Sequence, residues 1–262
     1  MVNLIDIWLI VLGLTQIVML AISLVFFIPK KVYKTNISQF YQIFKRHFPY
    51  ILVILGVVFF QLLEVNVIDA LTTKWIGVDF ASNIHGFEDN IVYWFSQHWV
   101  PALVYFFVFM YIAVYPFTLW FSPLYFLITD GKKSMKTLTY GLLLIYIIVL
   151  PFYLFVPVTN VYKFYGMESA LNAVIPSVEN FFYSTTTQNN CLPSLHVAMT
   201  ILIAWSVRLT GNKKFTYFAY FCMVSVILSV IYLAIHWITD VICGALLAVI
   251  VIFILNRFIK EE

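Results

Sequence analysis

Two short stretches carry the residue types that can do chemistry. The first is Cys191-Leu192-Pro193-Ser194-Leu195-His196. The second, forty residues on, is His236-Trp237-Ile238-Thr239-Asp240. Imidazoles exchange protons near neutral pH, and a neutral imidazole is also a nucleophile. A spacing of four between His236 and Asp240 puts both side chains on one face of a helix. A carboxylate there hydrogen-bonds one ring nitrogen, fixes the tautomer and leaves the other nitrogen basic. It also stabilises positive charge on the ring or on a covalent adduct. His196 would supply the proton that a leaving oxygen needs. Pro193 is expected to open a helix, so that the backbone N–H groups of Ser194 and Leu195, with the Ser194 hydroxyl, face the site. Helix N-termini bind phosphate. The expected catalytic residues are therefore His236, His196 and Asp240, and the expected phosphate contacts at this helix start are Ser194 and Leu195.

These residues sit in a chain of 262 that is 63% hydrophobic and 10% charged, with a mean hydropathy of +0.96. Soluble domains carry about 25% charged residues. The expected fold is all-α, a polytopic integral membrane helical bundle of about six to seven spans. With about 20 apolar residues per span, the runs fall near 4–29, 50–67, 100–128, 138–156, 194–207, 217–235 and 241–255. The first run is expected to be a retained span, not a signal peptide. The third run, 100–128, is expected to tilt or kink at Pro116 or Pro123. Polar connectors cover about 69–98 and 157–192. Residues 1–137 read as N-terminal spans plus an interfacial connector, and 138–262 as the catalytic helical core of the same membrane domain.

Thirteen of the fifteen Lys and Arg fall on one alternating set of loops and the C-terminus. The positive-inside rule then puts those loops and the C-terminus in the cytoplasm. Both chemical stretches land on the other, extracytoplasmic face of the cell membrane. Three cysteines, two of them inside apolar runs, suggest no disulfide framework. There is no Cys/His metal pattern, no Gly-rich phosphate loop and no nucleic-acid motif. No cofactor, metal or nucleic-acid partner is expected; the bilayer is.

The first stretch resembles the Pro-Ser-x-His motif of the type 2 phosphatidic acid phosphatase and haloperoxidase superfamily. Tyr232 to Asp240, followed by Gly244, resembles its His-x-x-x-Asp motif. The resemblance covers roughly Tyr153 to Leu255. It implies a lipid phosphate or phospholipid substrate, attack by His236 to give a phospho-histidine, and release to water or to an alcohol acceptor. Leu195, where the phosphatases usually have glycine, is closer to the inositol phosphorylceramide synthase branch. The chain departs from the phosphatase pattern elsewhere. Ser229 keeps the serine of the last motif, but Val230 stands in place of its arginine. No Lys-x6-Arg-Pro occurs; the segment Phe155-Val156-Pro157-Val158-Thr159-Asn160 sits in its place, and the resemblance thus adds Asn160 and Lys163, the only basic residue near this point, as expected phosphate contacts. So few cations favour a phosphodiester, which carries one charge less than a monoester dianion. The rival reading is a transporter using His196, His236 and Asp240 as a proton relay, disfavoured because relays run through several spans. Glu64 is either a helix-end residue or a headgroup contact.

Overall fold

The computed structural model describes residues 4–176, 178, 183 and 186–259. Among them all regular structure is helical, apart from one isolated parallel bridge between Val158 and Asn190. The helices are α1 (Leu4–Phe27), α2 (Ile37–Leu63), α3 (Asp69–Ile76), α4 (Ala81–Glu88), α5 (Ile91–Gln97), α6 (Pro101–Phe109), α7 (Tyr115–Ile128) and α8 (Lys132–Phe155). Two short turns follow, α9 (Val161–Phe164) and α10 (Ala170–Val174), and then α11 (Leu195–Arg208), α12 (Lys213–Tyr232) and α13 (Ile238–Phe258). Among the described residues six helical stretches are long and apolar enough to cross a membrane: Trp8–Phe27, Ile37–Ile76, Pro101–Ile128, α8, α12 and α13. The protein is an all-α polytopic membrane bundle.

The helix predicted to begin near Tyr50 begins at Ile37. Asn36 caps it: its side chain accepts the Gln39 N–H at 2.8 Å, and the Gln39 side chain accepts the Asn36 N–H at 3.1 Å. This reciprocal pair satisfies two of the amides that a helix start leaves open. Lys45 and Arg46, expected in a basic loop, therefore lie on helix. Arg46 and the buried His47 both reach Asp130, at 2.7 and 2.9 Å, and pin α2 to the turn after α7. Two long helices contain π-helical segments, Glu64–Ile68 and Met110–Val114. The second directly precedes Pro116. Proline lacks the N–H that an α-helix would use and clashes with the carbonyl four residues back, and the widened turn absorbs both defects. The bend foreseen at this proline is thus a local change of helix type.

α11 is 14 residues long, about 21 Å at 1.5 Å per residue. That is shorter than the roughly 30 Å hydrocarbon core. It is the central strut of the bundle. Ala198, Leu202 and Ile203 of α11 pack with Phe117, Phe121, Met135, Ile145, Leu247 and Val251 from α7, α8 and α13 in one cluster. Gly141 of α8 is where the Leu202 side chain fits: a Cβ there would stand 2.5 Å from it. At the basic end, Asn212 caps α12 through the Phe215 N–H and donates to the Phe27 carbonyl and the Tyr125 hydroxyl, tying α1, α7 and α12 together.

Candidate active site

The two chemical stretches meet at the start of α11. Helix α11 begins at Leu195 with Ser194 as its cap; Pro193, expected at the first helical position, lies two residues earlier. Serine is the better cap because its hydroxyl can accept the Val197 N–H, here at 3.5 Å. The Ser194 N–H, expected to face a phosphate, donates to the Asp240 carbonyl at 3.0 Å. Gly244, one turn along α13, makes this joint possible. A Cβ at that position would lie 2.5 Å from the Ser194 carbonyl oxygen, a backbone atom that cannot swing away. Tyr153 of α8 adds a hydrogen bond from its hydroxyl to the Pro193 carbonyl at 2.9 Å. The two motifs are thus bolted together by backbone contacts, and their side chains inherit a fixed separation.

The spacing of four predicts His236 and Asp240 on one helix; His236 departs from it. It lies instead in the link between α12 and α13, with Trp237 as the cap and Asp240 in the first turn. The pairing survives because a carboxylate in a first turn reaches back toward its cap. Asp240 Oδ2 accepts the Trp237 N–H at 2.9 Å and lies 3.2 Å from His236 Nδ1. A carboxylate only accepts, so Nδ1 carries the proton and Nε2 keeps its lone pair. The link itself is held in place. The N–H groups of Ile235 and His236 both donate to the Val230 carbonyl, and Ala234 takes a positive φ of 55°. The Trp237 indole donates to the Thr159 carbonyl at 2.9 Å.

The His196 and His236 rings lie edge to face with centroids 5.7 Å apart. His196 is flanked by Tyr111 and Tyr115, at 4.8 and 5.1 Å. Both imidazoles open on one cavity of about 570 Å³, lined also by Leu195, Asn160, Glu64 and Asn190. Of the expected phosphate contacts, Leu195 and Asn160 line this cavity. Asn160 caps α9 by accepting the Lys163 N–H and donates to the Tyr183 hydroxyl. It is brought in by residues 158–160 running beside 188–191, with the Asn160 N–H on the Gln188 carbonyl at 2.8 Å. Ser194 and Lys163 do not line the cavity. Ser194 is buried in the joint, and the Lys163 side chain is exposed on α9. No described residue lining the cavity is Lys or Arg.

Sequence reasoning missed Glu88. Its carboxylate accepts the Ile238 N–H at 2.8 Å and the Thr239 N–H, so the N-terminus of α13 already holds an anion of the protein's own. It missed Tyr111 and Tyr115 as well. Contacts across such sequence distances leave no periodic or local signal.

Cys191, His236 and Asp240 offer ligand atoms within 4.8 Å of one another, the one such group among the described residues. As a metal site it is poorly furnished. Burial, reinforced by the Asp240 charge, pushes the Cys191 thiol well up, away from the thiolate a metal takes. Asp240 Oδ2 is already committed to the Trp237 N–H and the His236 ring.

The sequence profile of the PAP2 superfamily matches residues 81–254. That is well over half the chain, which belongs to this superfamily, a family of phosphoesterases. No curated protein and no solved structure matches it.

Proposed function

We propose that the protein cleaves a phosphoester of a membrane lipid through a phospho-histidine on His236. The observation that carries this is the pair of imidazoles, 5.7 Å apart on one cavity, with Asp240 fixing the tautomer of one of them. Nε2 of His236 attacks phosphorus, the bond from phosphorus to the leaving oxygen breaks, and His196 gives that oxygen its proton. Asp240 stabilises the charged ring that results. Water or an alcohol then attacks the adduct, losing its proton to His196, and His236 is regenerated. Water makes the enzyme a lipid phosphatase; an alcohol makes it a headgroup transferase of the inositol phosphorylceramide synthase type.

A cavity furnished with hydroxyls, amides and two imidazoles, and with no Lys or Arg among its described residues, suits a singly charged phosphodiester better than a phosphate dianion. The backbone at Leu195 and the Asn160 amide are the phosphate contacts this reading assigns. The charge distribution of the loops supports an extracytoplasmic site and a cytoplasmic C-terminus. Because α11 is too short to reach across the hydrocarbon core, the site at its start is recessed below the surface. The lipid would then reach it from within the bilayer.

The test is lipid mass spectrometry on purified protein offered a lipid phosphomonoester and a phosphodiester, with and without an alcohol. Turnover should occur with the native chain and be lost in His236→Ala. Equal turnover in the native chain, His236→Ala and Asp240→Asn removes the proposal. Ligand-driven proton flux in sealed vesicles without any lipid turnover would favour the transport reading instead.

A further inference from the structure

The cavity has a second polar end that the phosphoryl chemistry leaves unused. Glu64 is 1% exposed, begins the π-helical segment Glu64–Ile68 within a membrane span, and lines the same cavity as the two histidines. An ionisable residue inside a span is costly to keep and usually has a task. Breaks in the α-helical ladder of this kind recur at functional sites. The Glu64 carboxylate accepts from the Tyr146 hydroxyl at 3.3 Å and from the Asn190 amide Nδ2 at 3.0 Å.

That second bond decides how the Asn190 amide is turned. Only its NH₂ can donate to a carboxylate, so Oδ1 is the other end. Asn190 is 9% exposed and lines the cavity, and its Oδ1 has no hydrogen-bond partner among the described residues. The buried hydroxyl of Thr187, on the same cavity, has none either. A buried acceptor without a donor is destabilising in the empty protein. Both atoms would be satisfied by O–H groups from a ligand.

We infer that Glu64, Asn190 and Thr187 form a subsite for a hydroxylated lipid headgroup, held beside the phosphorus on which His236 acts. The inference rests on the proposed phosphodiester chemistry and adds which headgroup class it takes. Asn190 Oδ1 and Thr187 Oγ1 accept from the headgroup hydroxyls, and Glu64 sets the orientation of the Asn190 amide. A headgroup lacking hydroxyls leaves both acceptors unpaired. Sites built to hydrogen-bond a substrate hydroxyl discriminate strongly against analogues that lack it.

The test compares phosphatidylglycerol with phosphatidylpropanol of the same acyl chains in mixed micelles. The two carry the same charge and differ only in headgroup hydroxyls. The native protein should prefer phosphatidylglycerol by about tenfold or more in kcat/KM. In Asn190→Leu that preference should fall to within about twofold, and in Glu64→Gln and Thr187→Val it should shrink. Thr187→Val is nearly isosteric and decides the matter if Asn190→Leu fails to give a monodisperse protein. Turnover of both lipids by the native chain without discrimination overturns the subsite alone. Retention of the native preference in all three variants does the same. Absence of turnover on either lipid, with His236→Ala indistinguishable from the native chain, overturns the phosphodiester chemistry and the subsite with it.

Discussion

The first two spanning helices and the later ones are built on different terms. In Trp8–Phe27 and Ile37–Ile76 only 6% of the apolar stretch is buried, against 56% in Pro101–Ile128 and 44% in α8. Val25 and Phe59 are 76% and 70% exposed, whereas Phe117 and Phe121 are fully enclosed. Lipid tails are as apolar as these side chains, so the exposed residues of the first two helices gain little by packing. The later helices interlock, and their interlocking fixes the separation of the two imidazoles. Glu64 and His47 are where the second helix departs from this pattern: each is buried and each is hydrogen-bonded to a later element. Apolar surface keeps that helix in the bilayer, and a few polar residues give it an address.

The sharpest break in this comparison should come from the joint itself. Replacing His236 by alanine is expected to lower turnover on the order of 10⁴-fold or more, as loss of a covalent nucleophile does elsewhere. Asp240→Asn should cost about 10²- to 10⁴-fold through the wrong tautomer. Turnover measurements in micelles check both. Next come packing effects. Phe121→Ala should destabilise by about 3–5 kcal/mol, and Phe59→Ala by no more than about 0.5 kcal/mol. Thermal unfolding in detergent reads the difference; equal losses would mean that the second helix is packed after all.

Gly244→Ala should be destabilising by about 1–3 kcal/mol and should cut activity too, since the clash is with backbone. Gly141→Ala meets only the flexible end of Leu202 and should do less; the opposite order would sink the idea of a rigid joint. Glu88→Gln should cost about 1 kcal/mol by weakening the anion at the start of α13. Rescue of any lost rate by Glu88→Asp would place its role in positioning.

Hydropathy alone revealed six of the seven expected runs as spans, the seventh, 194–207, being the shorter helix α11, and the spacing of His236 and Asp240 revealed their pairing. The pairing came out right although the local structure did not, because a first-turn carboxylate and a helical pair four apart share the same sequence spacing. The start of α2 was written in Asn36 and Gln39, but Lys45, Arg46 and Pro49 made that stretch look like loop. The helix starts further back, at the Asn36 cap, and runs on through all three residues, Pro49 included. The partners of His196, the anion on α13 and the Asn190–Glu64 contact join residues far apart in the chain. Such pairs are products of packing, and only assembled helices display them.

The missing cations carry a consequence of their own. Sites that grip phosphate with lysine and arginine weaken as ionic strength rises, because dissolved ions screen the attraction. Here the described cavity wall offers none of those side chains. KM for a phosphodiester lipid in uncharged micelles should therefore move by less than about twofold between roughly 50 and 500 mM sodium chloride. On the proposed phosphodiester chemistry, substrate binding would in that way be insulated from the salinity of the medium around the membrane.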